Sequence, residues 1–261
     1  MKLLRLLPLL ALAACATPAD RSGMLSSYEG LTAREGAVRT SIADGRDEAA
    51  LAGVKRVAIA PVRLAEGEGG AWLTPAERIL LLREVDAQLC FELSERYEIA
   101  PTPEAADAQV RTIVTAVRPT GRVGSALSAA SSFFIPGPLG LRVPGGLGGM
   151  ALEAEMLDRS QRQIAALTWN RTATAVGTDD PSISRIGDAL QFAEPFADVA
   201  AEVMSPKGMK TRSPPKPDPC AAYGPRIRAE GYLAKFATGL YVPQMSGAQA
   251  EKPTAEDPPR D

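Results

Sequence analysis

The stretch Met150-Ala151-Leu152-Glu153-Ala154-Glu155-Met156-Leu157-Asp158 decides the fold. Its residues alternate apolar and acidic, the period of a strand with one buried face. Leu152, Ala154 and Met156 are expected to face a core, with Glu153 and Glu155 facing water. Asp158-Arg159-Ser160-Gln161 supplies turn chemistry. Gln163 to Val176 then returns as a second strand, so the segment reads as a hairpin.

Upstream of the hairpin, Ala108 to Val117 reads as a strand closed by Pro119-Thr120-Gly121, with Val110, Ile113 and Val114 as core candidates. Before it, Tyr97 to Ala100 is a short strand stopped by Pro101 and Pro103. A longer strand, Val54 to Leu64, is apolar on both faces, and Pro61 marks where it bends or leaves the ladder. Thr74-Pro75-Ala76-Glu77 is a capping box with proline at the first helical position. The helix it opens runs to about Arg96, with Ile79, Leu82, Val85, Leu89 and Leu93 on one side and Cys90 at the edge of that stripe. Downstream, Ser184 to Met204 is a second helix carrying Leu190, Ala193, Phe196, Ala197, Ala200 and Val203, with Pro195 expected to kink it. Trp72 and Trp169 read as packing residues.

The order strand, helix, two strands, hairpin, helix implies an α+β domain. The expectation is a single sheet of about five strands with two main helices packed on it.

At the N-terminus, Lys2 and Arg5 precede an apolar run from Leu6 to Ala14. The run is shorter than the ~20 residues that span a bilayer and fits the core of a cleavable export signal. Leu12-Ala13-Ala14-Cys15 matches the bacterial lipobox, so Cys15 is the expected acylation site and the chain's expected membrane attachment. Ala16, rather than aspartate, follows and favours the outer membrane under the enterobacterial sorting rule. Residues 1–14 are then a signal peptide and 15–52 a lipidated tether with a docking segment. Residues 53–204 form the domain and 205–261 a Pro-rich, partly basic extension. Within the tether, Met24, Leu25, Tyr28 and Leu31 are placed to dock on the domain as one helical turn.

Export and composition narrow the chemistry. The formal charge is −2, which argues against nucleic acid as a partner. The chain has no histidine, which excludes Ser-His-Asp and Cys-His catalysis and His-ligated zinc. No cofactor or metal is called for, and no catalytic residue stands out. With Cys15 acylated, Cys90 and Cys220 remain as an even pair in an oxidising compartment. They are expected to form a disulfide, the alternative being a buried Cys90 and a loose thiol at Cys220.

Three stretches are candidate contact sites. Glu153, Glu155 and Asp158 are either a carboxylate site or the solvated face of a hairpin. Phe133, Phe134, Ile135, Leu139 and Leu141 crowd a Gly/Pro-rich loop, either a flap over the core or a contact with a membrane or an envelope protein. Lys207 to Arg228 holds six Lys or Arg and one Asp, either a spacer or a surface for anionic lipid. Beyond it, Arg226 to Leu240 reads as a short amphipathic helix using Ile227, Leu233, Phe236 and Leu240.

In this order, the Gly23-Met24-Leu25-Ser26-Ser27-Tyr28 element, the Val57-Ala58-Ile59-Ala60-Pro61-Val62 strand, the capped helix, the Ala151–Asp158 hairpin and the Ala-rich last helix resemble the domain of unknown function 3313 family of bacterial lipoproteins. The resemblance spans about residues 22–204. Ser160-Gln161 stands where that family commonly has Thr-Gly, and the extension beyond Met204 is atypical. The resemblance implies an envelope lipoprotein and no reaction. The expected function is thus a non-enzymatic binding or scaffolding module at the periplasmic face of the outer membrane, with an envelope protein as partner. An accessory subunit of an export or lipid-trafficking machine is the alternative, and a hydrolase using Glu153 and Asp158 alone the remote one.

Overall fold

A computed structural model describes residues 21–34, 40–121, 140–141, 147–174, 176–177 and 179–246. Cys15 with the expected signal segment, Phe133, Phe134, Ile135, Leu139 and the tail from residue 247 lie outside the described residues.

The strands are β1 (Thr32–Ala33), β2 (Thr40–Arg46), β3 (Arg56–Ile59), β4 (Arg63–Leu64), β5 (Glu98–Ile99), β6 (Ala108–Arg118), β7 (Gly140–Leu141), β8 (Gly149–Asp158), β9 (Gln163–Thr172) and β10 (Val176–Gly177). The main helices are α1 (Glu48–Leu51), α2 (Pro75–Ser94), α3 (Gly187–Val203) and α4 (Ala229–Thr238). Eight strands form one mixed sheet in the order β1-β2-β9-β8-β6-β3-β5, with β4 beside β6 past the end of β3. The class is α+β, as expected, but the sheet is larger than five strands. Two of the additions come from residues 32–46: β2 pairs antiparallel along all of its length with β9, and β1 folds back on β2; the third is β4, split from β3. β2 carries one buried residue, Ile42, so it lacks the apolar alternation by which a strand is read.

The β8–β9 hairpin forms in the expected place, Leu152 opposite Trp169 and Ala154 opposite Leu167. Both pairs are buried, and Trp169 packs edge-on against Phe192 and Phe196 of α3 at 5.8–6.3 Å. β9 ends at Thr172; Val176, read as its continuation, belongs instead to the small β7–β10 ribbon that also holds Leu141. At the hairpin turn the Asp158 carboxylate accepts from the Ser160 amide (2.9 Å) and hydroxyl (2.6 Å) and the Arg162 amide (3.1 Å). Gln161 there has φ +61°, a left-handed conformation that glycine adopts without a Cβ clash. The Gln161→Gly variant should therefore be more stable by about 0.5–1 kcal/mol in urea denaturation. A loss of stability would mean that the Gln161 side chain contributes more than its backbone costs.

The strand read as Val54–Leu64 is broken in two at Pro61. There the chain leaves the ladder, and the Val62 amide is taken by Asp86 of α2 at 2.9 Å. Thr74 and Glu77 form the capping box of α2. Val85, Leu89 and Leu93 of that helix are fully buried, but Ile79 is exposed and Leu81 takes its place in the core. The stripe was blurred because α2 is covered on two sides. One faces the sheet; the other, with Ala87, Cys90 and Phe91, faces the C-terminal extension. α3 buries all six residues assigned to its core face and runs on through Pro195.

The described part of the extension, residues 205–246, is pinned to the domain at several points rather than being a free spacer. Cys220 is fully buried and bonded to Cys90 (S–S 2.07 Å). Arg226 lies over the Phe91 ring and donates to the Phe91 carbonyl (2.8 Å) and the Ser94 hydroxyl (2.7 Å). Arg228 is buried beside Glu84, 3.8 Å away. These two cations of the basic stretch therefore serve the interior. α4 follows as the expected amphipathic helix, but Tyr232, Leu233 and Phe236 are exposed, as is Ile227 just before it. No described helix is long and apolar enough to cross a membrane.

Candidate functional site

α2 and α3 cover one face of the sheet. On the other face, Glu153 and Glu155 project from β8, with Arg111 opposite Glu155 and Ile113 opposite Glu153 on β6. Both glutamates were expected to face water, yet they are only 1% and 2% exposed. The cause is the segment before β1. Residues 21–30 lie across this face as a series of bends and turns, not as a helical turn, with Leu25 buried and Met24 exposed.

The contact is built from carboxylates meeting main-chain and hydroxyl donors. Ser22 donates to Glu153 from its amide (2.9 Å) and hydroxyl (2.5 Å), and the Tyr28 hydroxyl donates to the same carboxylate at 2.7 Å. Tyr28 in turn accepts from the Gly23 amide (2.8 Å), closing the turn on itself. Glu155 accepts from the Ser26 amide (2.9 Å), the Gln163 side-chain amide (2.8 Å) and the Arg111 guanidinium. Gln163 also donates to the Ser27 carbonyl at 3.0 Å. A buried carboxylate is tolerated where its lone pairs are filled in this way.

Burial by itself pushes Glu155 up, but hydrogen bonds from Gln163, Ser26 and Arg111 outweigh it and hold the carboxyl below its ordinary range. A group depressed on folding contributes stability above its unfolded value and loses it as pH falls through the folded one. Acidification below about pH 4 should therefore loosen the segment. NMR should show the Ser26 amide losing its hydrogen-bonded shift before the β8–β9 amides do. A Ser26 shift unchanged until global unfolding would contradict this.

The arrangement bears on the carboxylate-pair reading. Glu153 and Asp158 are five residues apart on one strand, about 16 Å. Paired hydrolytic carboxylates stand roughly 5–9.5 Å apart. Asp158 is taken by its turn, and Glu153 and Glu155 by the docked segment. Among the described residues no group of three or more Cys, Asp or Glu is placed to hold a metal ion. Leu141 is the one member of the apolar loop set whose backbone is described, in β7. The pairing of Cys90 and Cys220 matches the sequence expectation. Sequence reasoning missed Arg63, Pro61 and Arg111, which border a groove of about 370 Å³ beside Met24 and Leu25 of the docked segment. No sequence signal links them, because β3–β4, β6 and the segment converge only through the sheet order.

The molecule is thus an α+β domain whose leading segment is strapped over the open face of its sheet. It belongs to the family described as protein of unknown function (DUF3313), whose model matches residues 20–200. No curated protein matches the chain by sequence. Among solved structures it is similar to a point-mutant PelC dodecamer from Paraburkholderia phytofirmans, with 13% identity and a TM-score of 0.38 over 64% of this chain and 98% of that one. A second PelC dodecamer structure from that organism gives 14% and 0.37 over 64% and 98%. A DUF4136 family protein from Bacteroides thetaiotaomicron gives 10% and 0.35 over 65% and 99%.

Proposed function

We propose that this protein is a lipid-anchored, non-enzymatic binding or scaffolding module of the bacterial envelope, held at the periplasmic face of the outer membrane. The carrying observation is the docking of Ser22 and Ser26 on Glu153 and Glu155. With Cys15 acylated, the chain from Cys15 to Ser22 is the whole tether, at most about 25 Å when extended. That is less than a domain diameter, so the body rides against the bilayer. The buried Cys90–Cys220 disulfide agrees with an oxidising compartment. The filling of the glutamate lone pairs by structural donors agrees with a non-catalytic role.

The test is metabolic labelling with radioactive palmitate, read with the intact mass of the N-terminal peptide. The wild-type chain should carry acyl groups on Cys15 and sediment with outer membranes. The Cys15→Ser variant should take up no label. An unmodified Cys15 in a soluble periplasmic protein would overturn the proposal.

A further inference from the structure

We propose that the groove between the docked segment and the β3–β4 connection binds a small anionic amphiphile, with one phosphate or carboxylate head on a short apolar body. This deepens the binding-module reading by naming a ligand class, and it does not require the lipid anchor.

The groove has a volume of about 370 Å³, within the range of small-molecule sites. Its walls come from elements far apart in sequence. Met24 and Leu25 belong to the docked segment, Ala60 and Pro61 to the break between β3 and β4, and Ile113 to β6. These side chains offer an apolar bed, and Met24 is 42% exposed along it.

The charges on the two sides differ in how far they are already used. Glu153 and Glu155 lie on the segment side and are occupied by Ser22, Tyr28, Ser26 and Gln163. Arg111 is held by Glu155. Arg63 stands beside Ile113 in the β4–β6 register, so the groove has a guanidinium on its far wall. Arg63 is exposed, and among the described residues it has neither an ion pair nor a side-chain hydrogen bond. A planar guanidinium is matched in two-point contact by a carboxylate or phosphate. A neutral amphiphile would fill the bed and leave Arg63 unmatched; a cationic one would meet like charge. The anion has two possible sources, a phospholipid head group or a soluble anion.

The test uses the full chain in nanodiscs with ¹³C-methyl methionine. Met24 lines the groove, while Met156 and Met204 are fully buried in the core and report on folding. In phosphatidylcholine discs, octyl phosphate should shift the Met24 methyl saturably and leave the other two unmoved. Octanol should require at least about tenfold more, the scale of a lost charge-assisted hydrogen bond. The Arg63→Gln variant should weaken octyl phosphate by about the same factor with Met156 and Met204 unchanged. Inorganic phosphate alone should not move Met24 over the same range. Discs containing phosphatidylglycerol identify the source. Met24 already at its end point marks lipid, and Met24 at its free position marks a soluble anion. The proposal is overturned if octyl phosphate leaves Met24 unmoved, if octanol matches it, or if Arg63→Gln binds as wild type does. The intact mass of the same sample reports Cys15 acylation separately, so failure of the site and failure of the anchor are distinguishable.

Discussion

Replacing Cys90 and Cys220 together by alanine should lower unfolding free energy by about 4 kcal/mol. The bond joins positions 130 residues apart, a long loop closed in the unfolded chain, and both cysteines are buried, so two small voids add to the loss. The extension should also become the first place a protease cuts. Without the bond it is held by Arg226 and Arg228, by main-chain contacts such as Arg212 to the Glu95 carbonyl (2.9 Å), and by Arg83 stacked on Tyr223. Urea denaturation and limited proteolysis check this together. An unchanged midpoint with an intact 205–228 segment would mean that the polar contacts alone carry the extension.

The second large effect concerns the opposite face. Changing Glu153 and Glu155 together to alanine should cost about 3 kcal/mol. Loss of one partner of a buried ionic contact commonly costs 3–5 kcal/mol, and the figure is reduced because Arg111 is 37% exposed and recovers water. The two substitutions act on one segment, so their effects will not add. Amides 22–28 should exchange freely while β8 and β9 stay protected. The double glutamine variant keeps the shape and removes the charge, and it should fall between wild type and the alanine variant. Protection of Ser22 and Ser26 equal to wild type in the alanine variant would mean that Leu25, not the carboxylates, holds the segment.

How legible these features were in the sequence depended on how local their causes are. The capping box of α2, the hairpin and its turn, and the core face of α3 follow from periodicity and short-range hydrogen bonding, and the structure has them as expected. β1 and β2 were hidden because their stability comes from pairing with β9, not from their own side chains. Glu153 and Glu155 were read correctly as to face but wrongly as to environment. Alternation reports which side of a sheet a residue occupies, and it cannot report that a segment some 130 residues earlier will lie on top. Tyr28 and Leu25 gave the one hint, a compact apolar set in an otherwise polar stretch. The even pair of cysteines was readable from compartment logic, whereas the groove formed by Arg63, Pro61 and Met24 arises only from the crossing of strands distant in sequence.

The most direct test of the central claim is paramagnetic broadening from a lipid carrying a gadolinium head group, in nanodiscs holding the full chain. If the segment after Cys15 is docked and the tether is short, the amides of residues 22–30 and the Met24 methyl will broaden strongly. Residues buried in the core, such as Met156 on β8 and Met204 at the end of α3, will broaden little. Uniformly sharp signals throughout, with amides 22–28 exchanging freely, would contradict both the docking and the short tether.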